Sequence, residues 1–225
     1  TNQTVPPIDI NKKSSSVIVN EKQFYPNYKF ENFVVGPSDE IAYQAALSVA
    51  EAPGITSFNP LVIYGKTGLG KTHLLQAIGH FAQEEGTAQR IYYISAFDFL
   101  SRFVTFILEK KDVESFYTEF ANVDLLLIDD IHFLSKKTST QQAFYRIFST
   151  LINMQKQIVL TSDRLPDEIP DMQEGLLNRF KGGLLVEIEA PTLKTRMDIL
   201  VRKANTDNIQ LSREVISYMA SRVTN

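Results

Sequence analysis

Cysteine is missing from all 225 residues, which excludes a disulfide scaffold and any cysteine-ligated zinc site. A cysteine-free chain suits a reducing compartment, so a cytoplasmic location is the expectation. Long hydrophobic runs are also missing. Apolar stretches such as Leu125–Ile128 are far too short to cross a bilayer, and no membrane span is expected. An excess of basic charge is missing too: 23 Lys and Arg face 26 Asp and Glu, a formal net charge of -3. That balance lacks the footprint of a dedicated duplex-DNA binder, while a local basic patch stays open. What is there is ordinary for a globular chain, with 44% hydrophobic and 22% charged residues. The length suits one domain, or one domain plus a fragment, with a large core.

Residues 1–27 carry Pro6, Pro7 and the run Ser14–Ser16 without helical periodicity, and read as a flexible tail or linker. Val17–Val19 could pair as a short edge strand. From Asp39 onward Ile41, Ala45, Ala46 and Val49 recur at helical spacing, until Pro53-Gly54 stops the pattern. Short apolar runs at 61–64, 91–95, 124–128, 157–162 and 184–188 then alternate with helical stretches at 71–83, 98–110, 114–122, 140–154 and 174–180. Two further helical stretches, 192–204 and 212–223, follow Pro191. The alternation predicts an α/β fold, a parallel sheet covered by helices on both faces. The expected organisation is a tail over 1–27, a nucleotide-binding unit over 28–190 and the start of a helical lid over 191–225.

Gly65-Lys66-Thr67-Gly68-Leu69-Gly70-Lys71-Thr72 fits the phosphate-loop pattern G-x-x-x-x-G-K-[ST]. The chemistry needs these residue types. Glycines at 65, 68 and 70 let the N–H groups of the loop, Thr67 and Leu69 included, converge on phosphate oxygens. Lys71 supplies a point charge, Thr72 a hydroxyl for magnesium, and the helix beginning there its free N–H groups, His73 among them. A chance glycine-rich turn is the plain alternative. A buried strand before the loop and an amphipathic helix after it favour the phosphate cradle.

Leu125-Leu126-Leu127-Ile128 runs into Asp129-Asp130. An acid at such a strand end can hold the magnesium shell of a nucleotide, and Asp129 is assigned that role with Thr72. Asp130 is assigned to the attacking water, as base or orienter. Aspartate is one methylene shorter than glutamate, so the expected hydrolysis is slow. Strand ends often carry aspartate before a turn. The position about sixty residues beyond a phosphate loop favours the functional role.

Further stretches sharpen this. Phe30–Ser38 (FENFVVGPS), Asn59–Gly79, Leu126–Leu134 (LLIDDIHFL) and Gln157–Arg164 (QIVLTSDR) together closely resemble the AAA+ domain of the bacterial DnaA replication-initiator family. The resemblance runs from about residue 28 to the end. It implies that Val34, Val35 and Gly36 line an adenine pocket, that Asp163 is the sensor beside the γ-phosphate, and that Arg179 is an arginine finger. The finger would reach the ATP of a neighbouring subunit, so ATP but not ADP would favour head-to-tail assembly at a replication origin. The resemblance further implies contact with single-stranded DNA through Lys137, with Val104 or Phe106 as the apolar part, and with duplex DNA through a domain outside this chain.

There are departures from the family pattern. Gly175 stands where a second arginine is usual, Gly182 where an aromatic is common, and Ser139 where an arginine is usual. Two other readings remain at this point. One is a helicase loader or regulatory paralogue built on the same core. The other is a scaffold that does not hydrolyse nucleotide, against which the set Lys71, Thr72, Asp129 and Arg179 argues.

Overall fold

The computed structural model describes residues 17–18 and 24–223. In chain order the elements are β1 (Val17–Ile18), α1 (Glu40–Glu51), β2 (Leu61–Tyr64), α2 (Lys71–Glu85), β3 (Arg90–Ser95), α3 (Ala96–Leu108) and α4 (Val113–Ala121). They continue with β4 (Leu125–Asp129), α5 (Thr138–Asn153), β5 (Gln157–Ser162), α6 (Glu174–Lys181), β6 (Leu184–Glu187), α7 (Leu193–Thr206) and α8 (Arg213–Arg222). The strands form one sheet in the order β1-β3-β4-β5-β2-β6, with every pairing parallel. The edge strand expected at Val17–Val19 is present as Val17–Ile18, beside Arg90 and Ile91. Val19 and the rest of 1–23 lie outside the described residues.

The sheet separates two cores, and the twofold period of a strand decides which residue enters which. Leu126 and Ile128 of β4, Ile158 and Leu160 of β5 and Val62 of β2 face a core rich in phenylalanine from α3 to α6. Leu125 and Leu127, Val159, and Leu61 and Ile63 face α1 and α2 on the other side. Burial on both faces is why β4 reads as an unbroken apolar run rather than an alternating one.

Because the strands are parallel, their carboxyl ends share one edge. The register sets Tyr64 beside Ser162, Ile128 beside Leu160 and Ser95 beside Asp129. The glycine loop after β2, the acids after β4 and Asp163 after β5 are thereby delivered to one line, the usual ligand edge of an open α/β sheet.

The segment Phe24–Phe33 straps across α2. Phe24 is buried on the bare backbone of Gly79, where a Cβ would come within 2.3 Å of its ring. Tyr25 N–H donates to Gln76 Oε1 at 2.8 Å, and Lys29 pairs with Glu84 at 2.6 Å. The boundary expected after residue 27 falls inside this strap, and Phe24 belongs to the core. Burial of a phenylalanine side chain contributes about 1.5–3 kcal/mol, which explains why the chain is held here despite its proline and tyrosine content.

Candidate nucleotide site

The loop between β2 and α2 is shaped by backbone that few residues tolerate. Gly65 has φ +143°, and a Cβ there would lie 2.2 Å from the Ile188 carbonyl oxygen. Gly70 caps α2 at φ +97°, and a Cβ there would lie 3.0 Å from the Phe33 ring. Gly68 turns at φ +84°, and a Cβ there would meet nothing within 4 Å. Lys71 reaches back across it and donates to the Lys66 carbonyl oxygen at 2.8 Å. Its ammonium is buried, which lowers its pKa, and the carboxylates of Asp130, Asp129 and Asp163 oppose that fall.

Behind the loop the side chains interlock. Thr72 Oγ1 donates to Asp129 Oδ2 at 2.8 Å, and the Tyr93 hydroxyl donates to the same oxygen at 3.4 Å. Thr161 Oγ1 donates to the other carboxylate oxygen, Asp129 Oδ1. The same Thr161 oxygen accepts from Asp130 N–H at 2.8 Å. One buried threonine therefore couples both acids. Burial, reinforced by the nearby Asp129 charge, pushes the Tyr93 phenol pKa up. Thr161 was not singled out by sequence reasoning. Its signal was available: Thr161 and Ser162 are hydroxyl residues, both fully buried, ending an otherwise apolar strand.

Asp130 turns at φ +59°, a left-handed conformation that aspartate tolerates better than most residues. Burial, with Asp129 as the next cause, raises its carboxyl pKa above the ordinary range. Asp163 behaves oppositely. Arg164 donates to its two oxygens at 2.8 and 2.7 Å and holds its pKa below the usual value. His132 Nδ1 stands between the two acids, 3.4 Å from Asp163 and 3.9 Å from Asp130. Lys71, Thr72, Asp129, Asp130 and Asp163 thus meet at one edge.

A cleft of about 670 Å³ opens nearby, lined by Asn32, Phe33, Val34 and Val35 on one side and by Asp198, Val201, Arg202 and Asn205 of α7 on the other. Val34 and Val35 line this cleft. Gly36 lies at the base of α7, where a Cβ would approach Asp39 Oδ2 at 3.0 Å and Thr195 at 3.2 Å. The α7 residues were missed because no local pattern links positions 32–35 to 198–205. His73 faces the strap: its ring stacks on Tyr28 with centroids 4.8 Å apart, and Nε2 lies 2.8 Å from the Lys29 carbonyl oxygen. Burial lowers the His73 pKa, so a neutral ring is favoured there.

Arg179 sits apart, on α6, with its guanidinium carbon 5.7 Å from the centre of the Tyr145 ring. Val104, on α3, is exposed, whereas Phe106 packs on Phe116 with centroids 5.4 Å apart. Lys137 is exposed immediately before α5.

The family model of the bacterial DnaA ATPase domain matches residues 24–187. The chain belongs to this family. The DnaA chromosomal replication initiator of Lacticaseibacillus casei is 48% identical over 198 residues, which are 88% of this chain and 44% of that protein. The chain therefore spans less than half the length of that DnaA protein. Domain III of Thermotoga maritima DnaA superposes with a TM-score of 0.87 at 40% identity, covering 91% of this chain and 84% of that one. A DnaA replication initiator solved bound to AMPPCP and single-stranded DNA superposes with a TM-score of 0.81 at 42% identity, over 89% of this chain and 61% of that one. The α/β fold is accordingly the AAA+ fold of the DnaA ATPase domain. Among the described residues no helix is long and apolar enough to cross a membrane.

Proposed function

We propose that this domain binds ATP with magnesium and hydrolyses it slowly, and that the γ-phosphate serves as a signal between neighbouring copies of a cytoplasmic replication initiator. The nucleotide-binding unit is residues 24–190, with α7 and α8 as a helical lid over the base pocket. The observation that carries the reading is the Thr72–Asp129 hydrogen bond at 2.8 Å, placed in the first turn of the helix that follows the glycine loop. It sets a hydroxyl and a carboxylate side by side, the oxygen-only donors that suit a hard cation shared with phosphates.

Each side chain then has a task. The N–H groups of Gly65–Thr72 and the Lys71 ammonium hold the phosphate tail. Lys71 exchanges the Lys66 carbonyl for phosphate oxygens, which suits a charge already held among acids. Thr72 and Asp129 would hold Mg2+, which supplies charge neutralisation on the phosphates. Asp130 orients the attacking water or accepts its proton, and its raised pKa suits a base better than an ordinary exposed carboxylate. Its short side chain keeps hydrolysis slow. Asp163 and His132 sense the γ-phosphate side. Asn32–Gly36 and α7 enclose the adenine. ATP and ADP therefore differ at the edge where a second protomer contributes Arg179, and contacts of this head-to-tail kind propagate rather than close. Val104 and Lys137 provide exposed apolar and basic contacts for single-stranded origin DNA. Similarity to DnaA initiators at up to 48% identity favours an initiator over a helicase loader.

Single-turnover hydrolysis tests the assignment. Lys71→Ala should lose both binding and turnover, while Asp130→Asn should keep ATP and lose turnover. Unimpaired ATP affinity in Lys71→Ala would favour a scaffold without nucleotide chemistry. A faster Asp130→Glu variant would support the reach argument, and an unchanged rate would count against it.

A further inference from the structure

Gly175 and Arg179 lie one helical turn apart on the same face of α6. With no side chain at 175, the ring of Tyr145 from α5 closes on the helix: a Cβ at Gly175 would sit 3.4 Å from Tyr145 Cε2 and 3.8 Å from Cδ2. The same ring meets the Arg179 guanidinium, its carbon 5.7 Å from the ring centre. Among the described residues Arg179 forms no ion pair, whereas Lys181 on the same helix pairs with Asp167 at 2.9 Å. Tyr145 is 37% exposed, so it is a surface ring rather than a core residue.

We infer that Tyr145 is a positioning residue for Arg179, seated beside Gly175 and holding the guanidinium in one orientation for the triphosphate of a neighbouring copy. This rests on the reading of Arg179 as a group acting in trans. The physical reason is entropic. A free arginine side chain loses rotamer freedom when it engages a phosphate, and a side chain already held on a ring loses less. The guanidinium also interacts with the Tyr145 phenol, holding its pKa below the ordinary value, and one neutral partner leaves most of its planar fork of N–H donors for phosphate oxygens. A carboxylate partner would instead compete for those same donors. A Cβ at 175 would meet the ring at ordinary van der Waals distance, so the ring packs against the helix face that Gly175 shares with Arg179.

The test is ATP-dependent self-association of the chain, followed by sedimentation across a concentration series in ATP and in ADP. Parent, Tyr145→Ala, Tyr145→Phe and Arg179→Ala are compared, with ATP affinity measured for each. An exposed cation–π contact implies that Tyr145→Ala raises the ATP midpoint concentration roughly two- to fivefold. Tyr145→Phe, which keeps the ring and loses the phenol oxygen, should fall between the parent and Tyr145→Ala. At protein concentrations below the assembly midpoint, ATP affinity should be unchanged in Tyr145→Ala and Tyr145→Phe, and the ADP behaviour should not move. A Tyr145→Ala midpoint equal to or lower than the parent's, beside an impaired Arg179→Ala, overturns the inference and leaves the trans reading standing. An Arg179→Ala variant that assembles like the parent overturns both. A Tyr145→Phe variant that assembles no better than Tyr145→Ala also overturns the inference, since the ring is what it invokes.

Discussion

The two halves of the nucleotide chemistry are built in opposite ways. The cradle at the ends of β2, β4 and β5 is interlocked: Thr72, Tyr93 and Thr161 all converge on Asp129, and Thr161 also holds the backbone of Asp130. The α6 face is sparse, with Arg179 held by a single surface ring. The difference follows from where each partner comes from. Every group that grips phosphate in the cradle is in the same chain, so the fold can organise it in advance. On the proposed reading, Arg179 acts on a triphosphate from another copy, which is consistent with its place on the surface of α6.

Substitutions in the cradle should therefore cost binding and folding, and substitutions on α6 should cost neither. The largest effect is expected from Lys71→Ala. Loss of a buried charge that faces phosphate should weaken ATP and ADP binding on the order of a hundredfold, read by calorimetry. Next comes Gly65→Ala, which puts a methyl group against the Ile188 carbonyl in a left-handed conformation. Strain of this type costs about 1–3 kcal/mol, visible as a lower urea midpoint. Thr161→Val should follow, at about 1–2 kcal/mol, by leaving the Asp130 N–H and the Asp129 carboxylate each short of a partner. It should slow hydrolysis as well, because both acids lose their common anchor.

The smallest effect sharpens the contrast within the site. The folded-state pKa of Asp130 is raised, so the native chain keeps that proton more tightly than the unfolded one. Ionised Asp130 thus opposes folding at neutral pH, and the parent gains stability as pH falls through the folded pKa. Asp130→Asn should be slightly more stable than the parent at neutral pH, with the advantage fading as pH falls toward the carboxylate range. Asp163 has the opposite sign. Its depressed pKa contributes stability above the ordinary carboxylate range, and acid removes that contribution. Thermal melts from pH 2 to pH 8 on Asp130→Asn and Arg164→Ala check both signs. A variant advantage for Asp130→Asn that grows in acid would contradict the assignment.

Much of the cradle was legible in the chain because its signals are local. The strands at 61–64 and 157–162 fall where the apolar runs place them, Gly65 follows β2 directly, and Asp129 ends β4. What escaped was long-range. The strap beginning at Phe24 looks like tail, since its packing depends on Gly79 and Gln76 more than fifty residues away. The α7 wall of the cleft is invisible for the same reason. Thr161 carried a signal, a hydroxyl in a buried strand, that motif reading passes over. Gly175 read as a departure from the family pattern, and only the position of Tyr145 shows what packs there.

The most direct measurement is the mass distribution of the chain in ATP and in ADP, for the parent and for Arg179→Ala, by light scattering with nucleotide affinity measured alongside. Larger assemblies in ATP than in ADP are expected for the parent, and no such difference for Arg179→Ala at nucleotide concentrations that saturate both proteins. Equal mass in both nucleotides for the parent, or parental assembly in Arg179→Ala, would contradict this reading.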